Sequence, residues 1–165
     1  MYQKIILIIL LSLLLSCSKD KEIEYETKKA GDPFELYQLA YNGFVRGDYF
    51  YASKKFSEAE LSFQTVEYSA KAAIMSSYSL YGINFYEESL ESLERYLKKY
   101  RADKNVIYAH YLTAVIYFEQ ISDEKKDLQP LLNANKKINF FLKKYPNSEY
   151  ALDLKFKKDL IQNQL

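Results

Sequence analysis

Residues Leu36 to Phe56 read LYQLAYNGFVRGDYFYASKKF, a run in which small residues, a glycine turn and large apolar residues fall where two packed helices need them. Ala40 and Ala52 are small enough to let two helices approach closely. Gly47 can take the left-handed conformation that ends a first helix, and the turn after it launches a second. The start of the first helix is written just upstream, with Asp32 as N-cap, Pro33 at the first helical position and Glu35 able to reach back to the cap.

Slid along itself, the chain repeats this set. Leu36, Ala40, Gly47, Tyr49, Ala52 and Phe56 fall on Ala73, Ser77, Asn84, Tyr86, Ser89 and Leu93 at one constant offset, and the first-helix positions continue, less well, as His110 and Ala114. The third unit is interrupted by a charged stretch, Ser122 to Pro130 (SDEKKDLQP), read as a solvated excursion. After it Ala134, Ile138, Phe141 and Pro146 repeat the spacing of a second helix closed by proline, and a further first helix is expected to start near Asn147 and Ser148. The chain has three prolines and four glycines. That scarcity of breakers, with no alternating apolar and polar run, predicts an all-α protein. The pattern resembles the tetratricopeptide repeat: with Pro33 opening the unit, Leu39, Ala40, Ala52, Phe56 and Ala59 occupy its signature positions, while Leu36, Gly43 and Gln64 depart from it. The resemblance implies helical hairpin repeats forming a short right-handed solenoid, with about three and a half repeats over residues 32–165.

The N-terminus is a different kind of segment. Lys4 precedes an apolar run from Ile5 to Leu15 that is too short to span a bilayer and has the length of a signal-peptide core, so residues 1–16 are set apart from the fold. Leu14, Leu15, Ser16 and Cys17 read as a lipobox. Cys17 is the one cysteine in the chain, so it cannot close an internal disulfide; lipidation accounts for both its number and its place. A signal peptide that merely contains a cysteine, or an uncleaved anchor, is the alternative. Acyl chains anchor at about 0.8 kcal/mol per buried methylene, and two or more anchor stably. By resemblance to bacterial lipoproteins, Ser18 after the cysteine implies sorting to the outer membrane, since aspartate there is the usual inner-membrane retention signal. Residues 17–31, rich in Lys and Glu without apolar period, read as a flexible tether.

Lipobox, tether and repeat array together resemble the BamD family of outer-membrane assembly lipoproteins. The segment Leu36 to Phe56 looks like that family's first repeat, Tyr86 to Tyr100 (YEESLESLERYLKKY) like its second, and Tyr108 to Ala114 (YAHYLTA) and Lys144 to Ala151 (KYPNSEYA) follow in the family's order. Tyr100 and Arg101 stand where the family usually has a proline. The resemblance implies partners: a BamA-like barrel-insertion protein, other assembly lipoproteins, unfolded outer membrane proteins, and the membrane through the lipid anchor. The match runs out at Leu165, part-way through a fourth unit, whereas the family's docking on BamA uses later repeats. A tetratricopeptide lipoprotein for pilus assembly or cell-wall coordination is the alternative within the same architecture.

In such arrays the first helices line a groove, and by resemblance the groove-facing positions here are Tyr37, Tyr41 and Phe44 in the first unit. The second unit supplies Ile74, Tyr78 and Tyr81, and the third Tyr111, Val115 and Phe118. A tyrosine face offers rigid contact area with polar tips, suited to an extended peptide carrying aromatic side chains. Aromatic residues at helical spacing also serve as core, and both readings stay open. Other function classes are disfavoured by composition. Of 23 basic side chains only Lys4 lies in the first seventeen residues, which hold no acid, leaving 22 against 22 acidic and no basic surplus for nucleic acid. No glycine-rich phosphate loop or nucleophile elbow is present, so no catalytic residue and no cofactor is assigned and the chain is not read as an enzyme. His110, the single histidine, has no second histidine with which to build a metal site and is expected to be packed or hydrogen-bonded. Glu87, Glu88, Glu91 and Glu94 ahead of Arg95, Lys98, Lys99 and Arg101 read as a solvated helix face of spaced ion pairs.

Overall fold

A computed structural model describes residues 31–121 and 128–162. The signal peptide, Cys17, the tether before Gly31 and residues 122–127 of the charged excursion lie outside the described residues. Within them the regular structure is entirely helical: α1 (Pro33–Val45), α2 (Tyr49–Ser62), α3 (Val66–Gly82), α4 (Tyr86–Lys99), α5 (Val106–Glu119), α6 (Gln129–Lys144) and α7 (Ala151–Gln162). Each helix packs on the next in sequence, and α3 also meets α5 while α5 meets α7. First helices therefore pack on one another beside a run of second helices, the arrangement of a tetratricopeptide-like array.

The turns form as their residues dictate. Asp32 accepts from the backbone N–H of Phe34 at 3.3 Å with Pro33 at the start of α1. At its end Gly47 adopts φ +79°, and the N–H groups of Gly47 and Asp48 donate back to Phe44 and Gly43 at 3.0 and 2.9 Å. Asp48 then caps α2 by accepting from Tyr51 N–H at 3.2 Å. The second unit repeats the motif without glycine. Asn84 sits at φ +61°, and Asn84 and Phe85 donate to Tyr81 and Leu80 at 2.9 and 3.0 Å. These paired bonds satisfy carbonyls that would otherwise be orphaned at a helix C-terminus.

The recurring residues are the ones that vanish from solvent. Ala40, Ser77 and Ala114 on the first helices, Ala52, Ser89 and Ala134 on the second, and Phe56, Leu93 and Ile138 beyond them are each 0% exposed. Serine replaces alanine at two of these positions without leaving a polar group unpaired. The Ser89 hydroxyl donates to the Ser77 carbonyl at 2.8 Å, and the Ser77 hydroxyl donates to the Ala73 carbonyl at 3.1 Å. Between the hairpins the space is filled by larger clusters, one around Leu93, Tyr96, Leu112 and Ile116, the other around Leu131, Ile138, Phe141, Leu154 and Ile161.

Two boundaries differ from the sequence expectation. Gln129 and Pro130, placed in the charged excursion, form the first turn of α6, where proline's fixed φ and missing N–H are tolerated. The last helix begins at Ala151 rather than near Asn147 and Ser148. Pro146 ends α6, and the chain closes short turns first, with Ser148 donating to Tyr145 at 3.2 Å and Ala151 to Ser148 at 3.0 Å.

Candidate peptide-binding groove

Aromatic rings cross the first-helix layer as a continuous file. Phe44 of α1 lies 5.7 Å from Tyr78 of α3, Tyr78 lies 6.3 Å from Tyr108 of α5, and Tyr108 lies 5.7 Å from Tyr150, just before α7. Tyr81 joins the file at 5.9 Å from Tyr78, and Tyr111 stacks on Tyr150 at 4.5 Å with the ring planes 20° apart. The Tyr111 hydroxyl donates to Asp153 at 3.0 Å. Burial, the largest cause in each case, raises the phenol pKa of Tyr81, Tyr108 and Tyr111; Glu119 adds to it at Tyr81 and the Asp153 bond at Tyr111. These phenols stay neutral at physiological pH, giving a face of rings tipped with hydroxyls that can donate or accept hydrogen bonds but cannot serve as bases.

Four of the seven aromatic residues proposed from sequence, Phe44, Tyr78, Tyr81 and Tyr111, come together here. The others separate. Tyr37 turns inward, edge-on to Phe56 at 5.1 Å in the core of the first hairpin, with Lys71 Nζ 5.4 Å from its centroid. Tyr41 stands out in solvent at 47% exposure. Phe118 lies under Lys157 at 5.3 Å, away from the file. Ile74 and Val115 are each 6% exposed and serve as the floor between helices.

Sequence reasoning missed Tyr108 and Tyr150. Tyr108 lies three residues before Tyr111 on α5, so helical spacing already put it on the same face. Tyr150 was hidden because α7 was started too early. It also missed a buried carboxylate. Glu60, on the buried stripe of α2 one turn after Phe56, has 3% side-chain exposure and accepts from Arg95 and Lys99 at 3.1 Å each and from the Tyr100 hydroxyl at 2.8 Å. The solvated ion-pair face on α4 is thus corrected in part: Lys98 pairs with Glu94 at 2.8 Å on the surface, while Arg95 and Lys99 reach across to α2. Tyr100, the departure from the family's proline, supplies the third bond. His110 is packed as expected, its ring 5.2 Å from Phe140 and 5.7 Å from Tyr145; burial foremost, then Lys144 and Lys137, lower its pKa to about 4.

A concave feature of about 470 Å³ lies among α2, α3 and α4, rimmed by Phe50, Leu80 and Phe85. Its floor hydroxyls are already engaged, Ser57 with Ser76 at 2.9 Å and Ser76 with the Ser53 carbonyl at 3.0 Å. The tyrosine file brings together more rings, five of them carrying phenol hydroxyls.

A family model for YfiO, described as an outer membrane lipoprotein, matches residues 29–165. Among curated proteins, the chain is 32% identical over 149 residues to the outer membrane protein assembly factor BamD of Caulobacter vibrioides, covering 90% of this chain and 48% of that protein. It is 29% identical over 119 residues to the protein of the same name from Rickettsia prowazekii, covering 68% and 47% respectively. The corresponding protein of Xylella fastidiosa is 25% identical over 152 residues, covering 84% and 52%. The chain therefore spans about half the length of these curated relatives.

Proposed function

The chain belongs to the YfiO family of outer membrane lipoproteins, and from that premise we propose that it is a lipid-anchored scaffold for outer membrane protein assembly. Cys17 carries the acyl chains and holds the array at the periplasmic face of the outer membrane. The array binds the barrel-insertion protein, other assembly lipoproteins, and unfolded outer membrane proteins. The observation that carries the client-binding part is the aromatic file from Phe44 through Tyr78 and Tyr108 to Tyr150, because it spans successive repeats as an extended peptide would. Rings and neutral hydroxyls suit a strand with alternating aromatic side chains, which leaves backbone groups for the phenols to meet. Tyr81 and Tyr111 are its contact residues, and Tyr41 is an exposed flanking contact on α1; Tyr37, in the core of the first hairpin, and Phe118, under Lys157, take no part.

The test is co-purification in mild detergent from native membranes with Cys17 intact, combined with a photo-crosslinking residue at the exposed Tyr41. Recovery of the barrel-insertion protein, with unfolded barrel proteins crosslinked at Tyr41, is the expected result. Recovery of pilus or cell-wall proteins instead overturns the assembly reading. Loss of membrane association in Cys17→Ser tests the anchor separately.

A further inference from the structure

Apolar side chains crowd the surface at the end of the array where α1 begins. Phe34 in the first turn of α1, Leu61 in the last turn of α2, and Val66 and Tyr68 in the first turn of α3 are 56%, 80%, 70% and 42% exposed. Successive helices joined by turns this short run antiparallel, so these three turns share one end of the array. Ring contacts tie them together: Phe34 lies 5.1 Å from Phe63 and 5.2 Å from Tyr68, and Phe63 lies 5.4 Å from Tyr68. An exposed patch of this kind marks a surface that meets a protein or a membrane. The position of the patch along the chain separates the two. Cys17 lies fifteen residues before Asp32, the cap of α1. A chain of that length spans about 50 Å fully extended and about 20 Å as a coil. On the reading of Cys17 as the acylated residue, on which this inference rests, the patch sits at the end of the array that the anchor holds near the bilayer.

We propose that this patch inserts into the headgroup region of the phospholipid surface to which the chain is tethered, so that anchor and ring cluster together orient the array on the membrane. Aromatic rings settle at the boundary between headgroups and acyl chains, and aliphatic neighbours add buried area. The tether makes the contact effectively intramolecular, so four or five apolar side chains suffice where they would not for a free protein. Charges around the patch are of both signs. Glu35 and Glu67 occupy the same first turns, Lys71 follows Glu67 by one turn, and Lys104 Nζ lies 3.9 Å from Glu67. The contact is therefore apolar rather than electrostatic, and it persists in about 0.5 M salt, where exposed charges are screened.

The chain has no tryptophan, so a single introduced indole reports its own surroundings. The full lipidated chain carrying Val66→Trp is reconstituted into vesicles of phosphatidylethanolamine and phosphatidylglycerol with brominated acyl chains, which quench an indole that reaches them. Phe50→Trp is the control. Phe50 is 55% exposed but stands about 16 Å from Leu61 along α2, beyond the roughly 5–10 Å to which an interfacial apolar face sinks. Quenching is about threefold stronger at 66 than at 50 and is unchanged by salt. It falls to the control level when Phe34→Glu and Leu61→Glu are added; both positions are exposed, so far-ultraviolet circular dichroism stays unchanged. A chain that floats with the vesicles while 66 is quenched no more than 50, as when the tether or another protein covers the patch, overturns the proposal and leaves the anchor standing. So does quenching that salt abolishes or that the two glutamates leave intact. A chain that does not float overturns anchor and proposal together.

Discussion

Replacing Glu60 by alanine removes the acceptor for three donors from α4 and its C-terminal cap, and the cost can be apportioned donor by donor. Arg95 and Lys99 have side chains 55% and 51% exposed, so water takes over much of what they lose and each contributes about 0–1 kcal/mol. The Tyr100 hydroxyl belongs to a residue only 4% exposed; stranding it costs about 1–3 kcal/mol. The total is about 1–5 kcal/mol, or about 3–20 °C in midpoint for a domain of this size. Urea unfolding followed by circular dichroism measures it. A double-mutant cycle isolates the buried bond: Tyr100→Phe leaves nothing stranded by Glu60→Ala, so the double variant is less destabilised than the sum by about 1–1.5 kcal/mol. Glu94→Ala is the control. Its bridge to Lys98 joins side chains 67% and 71% exposed and should matter by less than about 0.5 kcal/mol. A Glu60→Ala cost as small as the control's, or additive behaviour with Tyr100→Phe, refutes the claim that this carboxylate fastens α4 to α2.

Two further outcomes follow from single residues. Gly47→Ala costs about 1 kcal/mol through backbone strain alone, since an added Cβ would meet nothing within 4 Å, whereas Asn84→Gly stays near neutral; thermal melts separate the two. His110 gives a pH dependence. Its folded-state pKa of about 4 lies below the ordinary imidazole value of about 6.5, so in the window between them the unfolded chain binds a proton that the folded chain refuses. Its contribution is fully present above pH 6.5 and is lost as pH falls through that window, and His110→Phe flattens the slope of urea midpoint against pH there. Equal slopes for the two proteins would contradict the packing of His110 against Phe140 and Tyr145.

The parts of the fold legible in sequence are those set by local spacing. Whether Ala40 faces Ala52 depends on helical period and one turn, and the same arithmetic carried over to Ser77, Ser89 and Ala134, all of which are fully buried. Glu60 was opaque because its partners lie 35, 39 and 40 residues away, and nothing in the neighbouring spacing of α4 distinguishes Arg95 from Lys98. The groove fell between these cases. A fixed offset from unit to unit found Phe44, Tyr78, Tyr81 and Tyr111, but it assumed that every first helix starts in the same phase, and the late start of α7 at Ala151 leaves Tyr150 outside it. The choice between aromatic core and aromatic recognition surface, open in the sequence, also dissolves in part. Tyr78 and Tyr108 hold α1, α3 and α5 together through ring contacts, so truncating either removes packing and any binding face at once. Tyr41 is exposed, and its loss should leave stability within about 0.5 kcal/mol. It is therefore the position at which the proposed client binding can be separated from folding, and a binding defect there carries information that a defect at Tyr78 does not.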